Sequence, residues 1–390
     1  MSGDVRSANA RPRPAPLDRG RSDSTRVEYA PPDAEPLPSE RVKMSHVDVI
    51  VPCHNYGDML EACVRSVLAQ EHVAVRVLIM DDASTDSTET VGRRLAAIDR
   101  RVEYRRHSIN RGHIATYNAA LADVTADYCV ILSADDLLTP GSFSRATRFM
   151  EMHPEVGLAY GRDIPFRHAP PVAITSAPAH CHGRIWCYPE FLERSCRLGQ
   201  TGIQAPAAIV RASLHRMIGG YLPQLPHTAD TEIWLRMAAH APVAELDADQ
   251  AFRRLHHHNM SLGYSPLRRL EEQRRAFDIH FNQFRRHPAV AALEPLLNQV
   301  IGEAGFWSAA RAFDAGDEAL CDASLAFAAA IWPDAVHTPA WRRLRWKRRI
   351  GASLWRWLTP IAARVRESPS ARSQGRSTTD LAAEQTRWPA

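Results

Sequence analysis

Residues 47–82 read VDVIVPCHNYGDMLEACVRSVLAQEHVAVRVLIMDD, and this stretch decides the fold. Val47-Asp48-Val49-Ile50-Val51-Pro52 is a short β-branched run bounded by turn residues, as a strand requires. Over 58–70, Leu60, Val64, Val67 and Leu68 share one face at helical spacing. Val75-Arg76-Val77-Leu78-Ile79-Met80 is a second strand, and it ends on Asp81-Asp82. Strand, helix, strand without a hairpin signal is the unit of a parallel sheet covered by helices.

The same alternation continues outward. A helix is expected to start near Asp86, with Glu89 closing a capping box. Val102-Glu103-Tyr104 is a weaker third strand, and a helix follows over roughly 113–123. Tyr128-Cys129-Val130-Ile131-Leu132 is a continuous apolar strand, and Thr139-Pro140 is expected to open the next helix as N-cap and first residue. The fold class is therefore α/β, with a mostly parallel, Rossmann-like sheet flanked by helices. Ligands of such sheets bind beyond the carboxyl ends of the strands. Two of those ends carry acidic pairs, Asp81-Asp82 and Asp135-Asp136. The loop after the first strand holds a single glycine, Gly57. A dinucleotide fingerprint needs three, and a nucleotidyltransferase needs a glycine-rich basic loop there, so neither reading is supported.

Composition narrows the class further. Net charge is only +4, which implies no global polyanion partner, and no nucleic acid is expected. The seven cysteines are an odd number and do not read as a disulfide framework, which points to a reducing, cytoplasmic compartment. No signal layout or stretch of about 20 apolar residues is visible. Residues 1–45 carry Pro12, Pro14, Pro16, Pro31, Pro32, Pro36 and Pro38 with no apolar period, and they read as a disordered tail, as do 367–390. His180-Cys181-His182 with Cys187 and Cys196 matches no common zinc spacing and reads as loop.

Paired strand-end carboxylates suit a hard divalent cation that shares its shell with a diphosphate. Ordered motifs extend this pattern: Val49 to Gly57, Ser66-Val-Leu-Ala-Gln70, Asp81-Asp-Ala-Ser-Thr-Asp86, Asn110-Arg111-Gly112, Tyr117-Asn118 and Leu132-Ser133-Ala134-Asp135-Asp136. Gly219-Gly220-Tyr221, His227-Thr-Ala-Asp230, Trp234-Leu-Arg236 and His256-His-His-Asn-Met-Ser261 follow in turn. Together they resemble family 2 glycosyltransferases of the GT-A fold over about 46–262. The resemblance implies inverting transfer of a sugar from a nucleotide-diphosphate donor, with a UDP-sugar expected, onto a glycan or lipid-linked acceptor. Pro52, His54, Asn55, Asp82, Asn110, Gly112 and Asp136 are then the donor-nucleotide residues. Asp135, with His256, would hold Mn²⁺ or Mg²⁺, and Asp230 would be the catalytic base. Three positions depart from the family pattern: Ser133 replaces the first Asp of its DxD segment, Ala229 replaces the Glu before the base, and Tyr117 stands where an Arg often precedes Asn118. These departures keep a second reading open, a catalytically silent GT-A-like scaffold at a membrane.

Residues 263–366 read as a helical C-terminal region. Leu267, Leu270, Phe277 and Phe281 form its first apolar stretch, which either packs on the catalytic domain or pairs subunits. The segment 341–358 holds four Trp among many Arg and no acid. An anionic membrane surface is the expected partner; packing on the enzyme and a nucleic-acid contact are the alternatives.

Overall fold

The computed structural model describes residues 44–169, 182–257, 259, 263–351 and 354–355. Both tails, the His180-Cys181 pair and His258 lie outside the described residues.

The first half follows the expected alternation. Strands β1 (His46–Cys53), β2 (Ala74–Asp81), β3 (Val102–Arg106) and β4 (Tyr128–Ile131) are separated by helices α1 (Gly57–Leu68), α2 (Thr88–Ile98) and α3 (His113–Leu121). β5 (Leu137–Leu138), α4 (Ser142–Met152), β6 (Leu158–Phe166), β7 (Gly183–Trp186), α5 (Tyr188–Leu198) and β8 (Ala208–Arg211) come next. They are followed by α6 (Ala212–Ile218), α7 (Ala229–Ala238) and β9 (Val243–Arg254), and then by α8 (Pro266–Gln283), α9 (Pro288–Ala315), α10 (Glu318–Ile331) and α11 (Pro339–Ile350). The strands form one nine-stranded sheet in the order β3-β2-β1-β4-β8-β6-β9-β5, with β7 also paired to β9.

β1 to β4 are mutually parallel. β8 runs antiparallel between β4 and β6, and β5 and β7 run antiparallel to β9. The reversal after β4 was not legible in the hydrophobic pattern, because a short apolar run looks the same in either direction.

Side-chain alternation along the strands sorts the core into two layers. Val47, Val49 and Val51 of β1 and Val77 and Ile79 of β2 face Leu60, Val64 and Val67 of α1 and Phe143 and Met150 of α4. Ile50, Leu78 and Met80 face the other way, onto Ile114 of α3, Phe191 of α5 and Ile233 of α7. That second layer also takes in Phe277 and Phe281 of α8 and Val290 and Leu297 of α9. The first stretch of the C-terminal region thus packs on the sheet domain. The far half of α9 builds a separate cluster with α10 and α11, around Phe306, Phe313, Leu325, Trp341 and Leu344.

One buried carboxylate ties the parallel half together. Asp48 accepts two bonds from Arg76 and two more from the backbone N–H groups of Thr125 and Ala126. Burial opposes its ionisation, but these bonds hold its pKa below the usual range.

Two expected helix starts are corrected. α2 begins at Thr88 with Ser87 as N-cap, and no capping box forms. Asp86 instead accepts the N–H of Thr88 and reaches across to the N–H of Gly57, while Glu89 pairs with Arg93. α4 begins at Ser142, after Gly141 in the left-handed region. Thr139 is not its cap: its hydroxyl oxygen accepts from the Arg145 guanidinium, and its hydrogen goes to the Asp249 carbonyl of β9.

Candidate active site

The carboxyl ends of β1 to β4 lie along one edge, so the loops that follow them meet there. The first three loops are interlocked. His54 Nδ1 lies 2.8 Å from the Asp82 carbonyl oxygen. Asn55 receives the Thr85 N–H at 2.8 Å, and its own N–H is donated to Ser84 Oγ. Asp82 Oδ1 accepts the N–H of Arg111 at 2.7 Å, and Asn110 lies against the His54 ring. Asn55 and Ala83 both hold positive φ, 61° and 56°, which non-glycine residues adopt only where their surroundings fix it. Gly57 is required by closeness: a Cβ there would sit 2.4 Å from Ser87 Oγ and 2.6 Å from the Thr88 nitrogen. Pro52, His54, Asn55, Asp82, Asn110 and Gly112 are therefore brought to one place.

Within the first acidic pair the two carboxylates differ. Asp81 is fully buried and accepts bonds from the Ser84 N–H, the Tyr104 hydroxyl and Arg106. These bonds outweigh its burial and hold its pKa low. It is a structural tie between β2, β3 and the Ser84 loop. Asp82 keeps its second carboxylate oxygen for another partner.

The second pair also divides. Asp135 Oδ2 lies 3.0 Å from His256 Nε2. Asp136 turns away and accepts the backbone N–H of Arg254 at 2.8 Å, while the Arg254 guanidinium donates to the Asp135 carbonyl. Burial, and then the neighbouring Asp135 charge, push the Asp136 pKa well above the usual carboxylate range. Asp136 thus anchors the loop to the end of β9, and Asp135 is left to His256. Tyr56 closes the gap to the first loop, its ring edge-on to His256 at 5.7 Å.

These groups fit a hard cation. Asp135 offers a carboxylate oxygen and His256 a ring nitrogen at one place, 3.0 Å apart. Among the described residues no cluster of three or more His, Cys, Asp or Glu side chains is poised around a metal. Asp135 and His256 would therefore supply two ligands and leave the rest of the shell to a diphosphate and water.

Asp230 lies in the first turn of α7. Burial alone pushes its pKa up to about 6. The start of α7 is clamped from α8: Glu272 accepts the N–H of His227 at 2.8 Å, and its carbonyl accepts the Thr228 hydroxyl. On the other side, Asn118 of α3 exchanges two hydrogen bonds with the Tyr221 backbone. Arg236, paired with Glu232, donates to the carbonyls of Ile218 and Gly220. Glu272 and Glu232 had no signal in the sequence beyond lying on helices.

Tyr117 joins the two halves of the site. Its ring stands edge-on to His113 and to Tyr221, each at 5.5 Å. Burial, and then the charges of Asp230 and Asp135, push its hydroxyl far up, so the phenol stays protonated. Both Asp230 and Asp135 therefore bear on this one hydroxyl. In the sequence Tyr117 was noted only as a departure from a pattern.

Residues 48–215 match the family model described as glycosyl transferase family 2. Over that stretch the chain is similar to glycosyltransferase family 2. A putative glycosyltransferase, EpsE of Bacillus subtilis, is 25% identical over 206 residues, covering 49% of this chain and 66% of that protein. A putative teichuronic acid biosynthesis glycosyltransferase of the same species, TuaG, is 33% identical over 104 residues, 27% of this chain and 41% of that one. The chain thus spans under two thirds of the length of these curated relatives. The solved structure of S. aureus TarS 1-349 in complex with UDP-GlcNAc superposes with a TM-score of 0.55 over 82% of this chain and 92% of that one. At 15% identity this likeness speaks for the GT-A fold and no more.

Proposed function

We propose that this protein transfers a sugar, with inversion, from a nucleoside-diphosphate sugar to an acceptor hydroxyl. The reading is supported by Asp230, a carboxyl tuned to about 6, and by the Asp135–His256 pair, since the charges of both acids bear on the hydroxyl of Tyr117, whose ring meets Tyr221. A base poised near the working pH is what general-base catalysis needs. Asp230 takes the acceptor proton as the acceptor oxygen bonds to the anomeric carbon. The bond from that carbon to the diphosphate breaks, and the electron pair leaves with the phosphate oxygen. A bound Mn²⁺ or Mg²⁺, held by Asp135 and His256, would neutralise the charge gathering there. Attack from the side opposite the leaving group inverts the anomeric centre. Asp82 and the interlocked loops receive the base and ribose.

Uridine is the base we assign, on the motif resemblance and the UDP-bound structural neighbour. The acceptor we assign is a glycan or lipid-linked saccharide of a cell envelope, in keeping with similar proteins of teichuronic acid and succinoglycan biosynthesis. We place the chain on the cytoplasmic face of the membrane, where such acceptors are built.

A thermal-shift panel of UDP-, dTDP- and GDP-sugars with and without Mn²⁺ tests the donor, since a ligand that binds only the folded state raises its apparent stability. UDP release from the stabilising sugar then tests turnover. Binding without any release, even with Mn²⁺ and acceptor extracts, would favour the silent scaffold.

A further inference from the structure

The chemistry at Asp230 leaves α11 unused, and its outer face is built for a surface. The inner face is spent on packing: Trp341 stacks on Phe306 at 5.7 Å, and Leu344 is buried beside it. Thr338 caps the helix by accepting the N–H of Trp341. The opposite side presents Arg342, Arg345, Trp346 and Arg349, at positions i, i+3, i+4 and i+7, so they lie on one stripe. All four are exposed, and Trp346 leaves 57% of its surface to solvent. Lys347 and Arg348, on the flank, find Asp314 and Asp322. Arg342, Arg345 and Arg349 form no ion pair among the described residues. Trp346 meets Trp355 edge-on at 5.9 Å, next to the exposed Leu354, which widens the apolar part of the patch.

A helix face that only met water would mix charge signs. This one sets like charges one turn apart and keeps a bare indole among them, a net cost unless an anionic partner offsets it. Guanidinium groups ringing a Trp suit phosphate headgroups above an acyl boundary. Among the described residues no helix is long and apolar enough to cross a membrane.

We propose that the Arg342–Arg345–Trp346–Arg349 stripe is a docking site for an anionic lipid bilayer, holding the enzyme flat on the membrane surface. The site rests on the membrane-face placement above and not on the chemistry of Asp230. The test uses the full chain and three forms: wild type, the triple variant Arg342→Gln/Arg345→Gln/Arg349→Gln, and Trp346→Ala. Co-sedimentation is measured with vesicles of phosphatidylcholine alone and of phosphatidylcholine with phosphatidylglycerol, at low and at physiological salt. Wild type should bind the anionic vesicles, more weakly as salt rises, and should ignore the neutral ones. The triple variant should lose roughly a hundredfold in partitioning, taking about fivefold for each charge. Trp346→Ala should weaken binding at both salt concentrations. Release of UDP from a soluble donor should be the same in all three forms, which separates failure here from failure of the sugar-transfer reading. Triple-variant binding equal to wild type overturns this stripe. Equal wild-type binding to both vesicle types overturns the anionic site, no wild-type binding to either overturns any membrane role, and tighter binding to single-stranded RNA than to vesicles reassigns the surface to nucleic acid.

Discussion

Replacing Asp230 with asparagine should make the protein more stable and far less active. Its pKa rises from 3.8 to about 6 on folding, through burial. A shift of about two units is worth up to about 3 kcal/mol between the two protonation states, and we take about 1–3 because the carboxyl keeps some contact with solvent. The sign follows from linkage. The folded state holds the proton more tightly than the unfolded chain, so stability falls as pH rises from about 4 to about 6 and stays lower above that. Asparagine carries no charge to penalise. Asp230→Asn should therefore melt a few degrees higher than wild type at pH 8, with the difference vanishing near pH 4. Turnover should drop by about 10²–10⁴-fold, with the affinity for UDP unchanged, because the lost group acts only on the acceptor proton. In wild type, kcat/KM should decline as pH falls below about 6, where the base becomes protonated. Melting scans across pH and steady-state UDP release are enough to check this. A variant that turns over within threefold of wild type, or that gains no stability at pH 8, refutes the reasoning.

Asp135→Ala should abolish the Mn²⁺-dependent part of nucleotide-sugar binding in calorimetry while leaving the metal-free thermal midpoint close to wild type. Asp81→Ala and Asp82→Ala should part company. The first strips a buried carboxylate from Arg106 and Tyr104 and should cost about 3–5 kcal/mol in chemical denaturation; the second should unfold normally and lose nucleotide affinity. Tyr117→Phe keeps the ring packing against His113 and Tyr221 but removes a hydroxyl on which the charges of Asp230 and Asp135 both bear. It should lower kcat more than it raises KM, by about tenfold or more. Gly220→Ala would bring a Cβ to 2.3 Å from Asn118 Oδ1, so it should break the Asn118–Tyr221 bonds and lower both stability and turnover.

The β-branched runs over 47–51 and 75–80, and the helix between them, were legible because their periods are local properties of the chain. So were the strand-end acids, since a residue that follows an apolar run must sit where the strand leaves the sheet. Ordered spacing was also enough to collect Asp82, Asp135, Asp230 and His256 as one set of candidates. What each acid does was not written there. Asp81 and Asp82 are chemically alike in sequence, yet one is consumed by Tyr104 and Arg106 from a neighbouring strand. Asp135 and Asp136 are likewise separated only by β9, whose backbone takes one and leaves the other facing His256. The reversed direction of β8, the grip of Glu272 on the start of α7 and the packing of Tyr117 against Tyr221 belong to the same class. Each depends on contacts between segments tens of residues or more apart, and side-chain pattern along the chain encodes which face is apolar, not which partner will cover it.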